Sequence, residues 1–181
     1  MISLHILSIV LGAILVFTSL PIFFKAESTV NFLKKFPRSL PIGYFFLALS
    51  TFWFLYYFNA EEIVDFAPVK KYMFVGFIVL AVGVGLFVKD FLAVRAYSIF
   101  LFLVAKLICD TTRYADSSWA FLYPLFAMIL VCFGICFTAA PYKMRDLLSW
   151  LIASSRRLKV LAAARITLGV IFLILGFSKI Q

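Results

Sequence analysis

Six separate apolar runs, each long enough to cross a hydrocarbon core as a helix, dominate the chain: Ile2 to Phe24, Pro41 to Phe58, Tyr72 to Val88, Phe91 to Cys109, Trp119 to Ala140 and Val160 to Phe177. A core of roughly 30 Å needs about 17 to 25 helical residues, and each span must satisfy its own backbone hydrogen bonds. None of the runs keeps the apolar/polar alternation of a membrane barrel strand. The expectation is an all-α integral membrane helical bundle of about six spans, forming one domain over residues 1–181. Composition points the same way, at 65% hydrophobic, 14% charged and a mean hydropathy of +1.11. Soluble domains run nearer half apolar and a quarter charged. A water-soluble enzyme, a disordered tail and a disulfide scaffold are excluded on these figures.

The first run has no Lys or Arg ahead of it and is longer than a signal-peptide core, so it reads as a retained helix. Six spans place the connections alternately on two sides. One side collects eleven basic residues, among them Lys34, Lys35, Arg38, Lys143, Arg145, Arg156, Arg157 and Lys159, against Glu27, Asp90 and Asp146. The other holds Lys70, Lys71, Lys106, Arg113 and Lys179 against Glu61, Glu62, Asp65, Asp110 and Asp116. The positive-inside rule assigns the first set to the cytoplasm and leaves both termini outside. The net charge of +9 is thus read as contact with anionic lipid headgroups, with no nucleic-acid partner.

Two cytoplasmic connections read as interfacial helices. In residues 143–155, Met144, Leu147, Leu148, Leu151 and Ile152 fall on one stripe, with Arg145, Asp146 and Ser149 off it. Such a helix is expected to lie along the headgroups. Phe32, Leu33 and Phe36 repeat the theme beside Lys34 and Lys35 until Pro37 stops the helix. The turn at Lys89 and Asp90 is short enough to make the third and fourth spans antiparallel neighbours, and Ala81, Gly83 and Gly85 suit close helix approach.

Chemistry has little support. One histidine, His5, excludes a bis-His haem and a zinc site with two or more His ligands. Cys109, Cys132 and Cys136 show no CxxC spacing and read as buried small hydrophobes. The helical path from Trp119 to Cys136 covers roughly 25 Å, too far for a bridge from Cys136 back to Cys109. Glu61 and Glu62 read as a solvated acidic loop. Neither a GxSxG, a P-loop nor a dinucleotide fingerprint occurs, so no catalytic residue, cofactor or metal ligand is assigned, and the balance leans away from an enzyme.

The candidate ligand contacts are ionisable residues placed within spans, where they are costly. Lys106, Asp110 and Arg113 stand at helical spacing, which allows a ladder binding an anionic group or, alternatively, snorkelling bases beside a helix-end acid. Arg95 and Arg165 match in depth, and a pocket for a lipid headgroup or plain bilayer anchoring both fit them. Nine aromatics between Tyr44 and Phe58 read as an interfacial belt, with a quinone or pigment site as the other reading. Pro124 is placed to kink the fifth span.

In the last span Arg165, Gly169, Phe172, Gly176 and Lys179 stand at helical offsets of 0, 4, 7, 11 and 14, a narrow stripe with two glycine notches. That spacing resembles the opening helix of the DoxX-like small membrane proteins, although in that family the helix comes first and three others follow. A broader resemblance is to bacterial inner-membrane proteins of unassigned function, carried by Phe36-Pro37-Arg38-Ser39, Ala93-Val94-Arg95-Ala96 and Pro141-Tyr142-Lys143-Met144-Arg145. It implies a multi-pass membrane protein and carries over no catalytic residue. The expected role is a non-catalytic accessory, scaffold or lipid-contacting subunit of the inner membrane, with a membrane-protein partner or a second copy as candidate companions. The alternative is a small carrier or channel for an anionic solute, built on Lys106, Asp110 and Arg113.

Overall fold

The computed structural model describes residues 3–24, 26–60, 68–113, 115 and 119–178. Lys25, Glu61, Glu62, Asp65, Asp116 and Lys179, which entered the charge count, lie outside the described residues. The chain forms α1 (Leu4–Ser19), α2 (Pro21–Phe24), α3 (Ala26–Lys35), a 3-10 turn (Phe36–Arg38), α4 (Leu40–Ala60), α5 (Lys70–Phe87), α6 (Leu92–Thr112), α7 (Leu122–Ala139), α8 (Pro141–Ile152) and α9 (Ser155–Phe177). No strand occurs among the described residues. Six segments are long and apolar enough to cross a membrane: α1 with α2, then α4, α5, α6, α7 and α9. The fold is an all-α membrane helical bundle.

Local chemistry explains the boundaries. Pro21 brings no N–H to continue α1, so the first span breaks at Leu20 and restarts with proline in the first turn of α2. Pro37 ends α3 in the same way. α8 stops at Ile152 and α9 already begins at Ser155, so Arg156, Arg157 and Lys159 belong to the last helix rather than to a linker. Pro124 falls in the first turn of α7, where its missing N–H costs no intrahelical bond, so it starts the helix and does not kink its middle.

α6 is the hub. Leu92, Ala93, Val94, Ala96 and Ile108 are each exposed by 1% or less, because α4 covers one side of the helix and α7 another. α4 runs parallel to α6, with Gly43 against Leu92 and Ala93 near one end and Trp53 against Phe100 farther along. α5 departs from expectation: its body lies along α4, not along α6. Gly85 receives Leu47 and the Tyr44 ring, and the Tyr44 hydroxyl donates to the Gly85 carbonyl at 3.1 Å, while Gly83 faces open space. The turn before α6 holds Phe91, whose φ of 54° is left-handed and unusual for so bulky a residue.

α1 and α9 form an antiparallel seam. Gly169 meets Gly12 and Val16, Gly176 meets Ile9 and Ser8, and the Phe172 ring stacks on Tyr123 of α7 at 5.2 Å. The glycine stripe read in the last span is therefore the surface that α1 covers. Lipid tails are as apolar as leucine, so burial alone gives two such helices no reason to meet; close packing and interhelical hydrogen bonds supply it. A cluster of Leu7, Leu11, Ala105, Ile108, Tyr123, Ala127 and Phe172 ties this seam to α6 and α7.

At one end of the bundle α3 packs against α8. The apolar stripe of α8 turns inward rather than toward headgroups: Met144, Leu147 and Leu148 join Phe36, Val94 and Phe137, while Leu151 joins Ile22, Leu158 and Ala162. The bundle end itself offers apolar surface, and covering it leaves Lys143, Arg145 and Trp150 on the outside. The cysteines also depart from expectation. Cys109, Cys132 and Cys136 are free and exposed, on helix surfaces that no neighbouring helix covers.

Candidate functional site

Basic residues converge where α3, α8 and the first turns of α9 come together. Lys34, Lys35, Arg38, Lys143, Arg145, Arg156, Arg157 and Lys159 are all exposed there. Two of the eight are held: Arg145 donates to Asp146 at 2.8 and 2.9 Å, and Arg157 stacks over the Trp150 ring at 4.3 Å while donating to the Trp150 carbonyl at 3.2 Å. The other six make no hydrogen bond or ion pair with any described residue. Open grooves lie between them. One of about 390 Å³ is lined by Leu33, Lys34, Pro37, Arg145, Leu148 and Ser149 among others; another of about 590 Å³ lies beside Phe23, Arg156, Lys159 and Val160. A third, of about 500 Å³, is bordered by Arg38, Lys89, Asp90 and Phe91. Cationic rims over apolar walls suit an amphipathic anion.

At the far end of α6, Lys106 and Asp110 form an ion pair at 2.8 Å, and the Lys106 ammonium lies 4.8 Å from the Tyr57 ring centroid. Arg113, at the C-terminal cap of α6, is exposed and joins no ion pair with a described residue. The three-residue ladder is thus reduced to one rung.

Arg95 and Arg165 are not brought together. Arg165 donates to Thr18 Oγ1 at 2.7 Å across the α1–α9 seam, and its charge is within electrostatic reach of Tyr97 on α6. Arg95 is exposed on α6 and makes no hydrogen bond or ion pair with a described residue. Helix-centre arginine costs about 2.5–3.5 kcal/mol on insertion scales. No carboxylate among the described residues lies in ion-pairing range of Arg165.

Some contacts escaped the reading of the sequence. Ser8, fully buried, donates to the Phe172 carbonyl at 2.8 Å and shares a 2.5 Å hydrogen bond with the Tyr123 hydroxyl. Its four-residue spacing from Gly12, which mirrors Arg165 and Gly169, was the available signal. A ladder of rings also links the 3-10 turn to α4 and α6: Phe36 to Tyr97 at 5.7 Å, Tyr97 to Phe46 at 5.3 Å, Phe46 to Phe100 at 5.4 Å, and Phe100 to Trp53 at 5.8 Å. His5 pairs with the Gly176 carbonyl at 3.3 Å, and no cluster of three or more His, Cys, Asp or Glu that would hold a metal forms among the described residues. Comparisons with protein-family models, curated proteins and solved structures find no match to this chain.

Proposed function

We propose that this is a bacterial inner-membrane protein with both termini outside and its basic face in the cytoplasm, acting without catalysis as a lipid-contacting accessory or scaffold subunit. The observation that carries this reading is the platform formed by α3, α8 and the start of α9. Met144, Leu147, Leu148 and Leu151 of α8 are spent on packing, and six basic side chains remain without a described protein partner. Surface cations next to a bilayer are each worth about 1 kcal/mol of attraction to an anionic leaflet, which also fixes the orientation of the chain. Trp150 and Tyr142 are exposed on the same helix and suit the headgroup level. The Lys106–Asp110 pair counts against the carrier reading, because the cation already has its anion.

The test is extraction into polymer-bounded native nanodiscs followed by lipid analysis. Anionic phospholipid should be enriched around the wild type over the bulk membrane, and a Lys34→Gln, Arg156→Gln, Lys159→Gln variant should lose most of that enrichment. Equal lipid profiles for the two proteins would sink the platform reading. Native mass spectrometry of the same extract addresses the subunit role, where a stoichiometric second protein is the expected result.

A further inference from the structure

Arg165 is a charge placed inside a membrane-spanning helix. It lies six residues beyond Lys159 on α9, so about 9 Å farther along the helix axis than the last residue of the basic cluster. It is half-buried, and its hydrogen-bonded partner among the described residues is the neutral Thr18 hydroxyl at 2.7 Å. Thr18 in turn donates to the Ile14 carbonyl at 2.6 Å, so the hydroxyl that meets the guanidinium is fixed in position. The remaining N–H donors of Arg165 have no acceptor among the described residues, and the fold provides no described carboxylate there. A cation inside a span with no anion among the described residues is suited to one from outside.

The seam decides from where. Thr18 is exposed, and Phe17 beside it is 70% exposed, so the guanidinium opens sideways onto the surface that lipid covers and not into an enclosed cavity. Helical side chains tilt toward the N-terminus, which points Arg165 back toward the basic face and the phosphates of that leaflet. A phosphate held there would belong to a lipid of the basic-face leaflet.

We infer that Arg165 and Thr18 form a lateral site for the phosphate of one phospholipid of the leaflet that meets the basic face. A planar guanidinium can take phosphate oxygens in pairs, which a lysine cannot. The site is separate from the platform of α3 and α8, since none of the platform cations contributes to it.

The experiment is native mass spectrometry from mild detergent with added lipids. Wild type should retain one phospholipid per chain, and retention should persist at high salt. Arg165→Gln should lower it at least fivefold, with Arg165→Lys falling between the two. The Lys34→Gln, Arg156→Gln, Lys159→Gln variant should keep it, which separates this site from the platform reading. Should Arg165→Gln fail to fold, the wild type alone still decides: phosphatidylglycerol should bind and raise the melting temperature, while diacylglycerol, which lacks the phosphate, should do neither. Stabilisation by inorganic phosphate equal to that by phosphatidylglycerol would overturn the lipid assignment. Undiminished retention in Arg165→Gln, or equal binding of diacylglycerol, would overturn the site and leave Arg165 as a bilayer anchor.

Discussion

Gly12 and Gly169 face each other backbone to backbone across the α1–α9 seam. A methyl on Gly12 would lie 2.6 Å from the Gly169 carbonyl oxygen, and one on Gly169 would lie 2.9 Å from the Gly12 carbonyl oxygen. Neither obstacle is a side chain able to swing aside, so the first and last spans approach this closely only because both positions lack a Cβ. The approach brings Ser8 to the Phe172 carbonyl and Thr18 to Arg165.

Gly12→Ala should therefore destabilise the protein by about 1–3 kcal/mol, the usual range for overpacking. Gly83→Ala is the matched control, since nothing lies within 4 Å of the added carbon. Relief of glycine's poor helix propensity should leave that variant unchanged or up to about 1 kcal/mol more stable. Tryptophan-monitored melts in detergent would compare them, and equal melting temperatures would refute the seam.

Ser8→Ala and Tyr123→Phe should be coupled. Interhelical hydrogen bonds in bilayers are worth about 0.6 to 1.7 kcal/mol, and the two side chains share a buried bond. A double-mutant cycle on unfolding in mixed micelles reads the coupling directly. A coupling of zero would mean that the hydroxyls pack side by side without bonding.

Lys106 and Asp110 should matter little to stability. Their side chains are 39% and 47% exposed, so Asp110→Asn should cost no more than about 1 kcal/mol. Liposomes holding the wild type should pass anions no faster than empty ones, and Lys106→Ala should change nothing. Anion flux that depends on Lys106 would establish the carrier in place of the scaffold.

The proposed orientation is open to a labelling test. In a background lacking Cys109, Cys132 and Cys136, a cysteine at Ser155 should be labelled by a membrane-impermeant maleimide only after the cytoplasmic side is opened. One at Asn59 should react in intact cells. The reverse pattern would place the basic face outside and remove the lipid-platform reading with it.

The spans and the basic clustering were legible because each is local. Apolar length is summed residue by residue, and Pro37 ends its helix wherever that helix packs. The α9 stripe was legible too, since Gly169 and Gly176 share a face whatever partner covers it. Its partner was not, because nothing local in α9 distinguishes α1 from any other apolar helix. The α8 stripe shows the converse: Met144, Leu147 and Leu148 announced a buried face, but the choice between headgroups and the end of the bundle depended on apolar surface offered by Phe36, Val94 and Phe137. Arg95 and Arg165 match in depth, a property of the sequence, yet Arg165 turns to Thr18 on α1 while Arg95 has no partner among the described residues.

By itself, then, the sequence determined that this chain is a helical membrane bundle of six spans with its charge collected on one set of connections, because transfer from water to lipid acts on each segment independently. Tertiary structure alone decided that α1 covers the α9 glycines, that α5 lies along α4, and that Arg165 meets Thr18 rather than Arg95 or a carboxylate. Once every span is in lipid, all are equally apolar to their surroundings. Which faces meet then depends on shape fit and a few polar contacts between residues far apart in the chain.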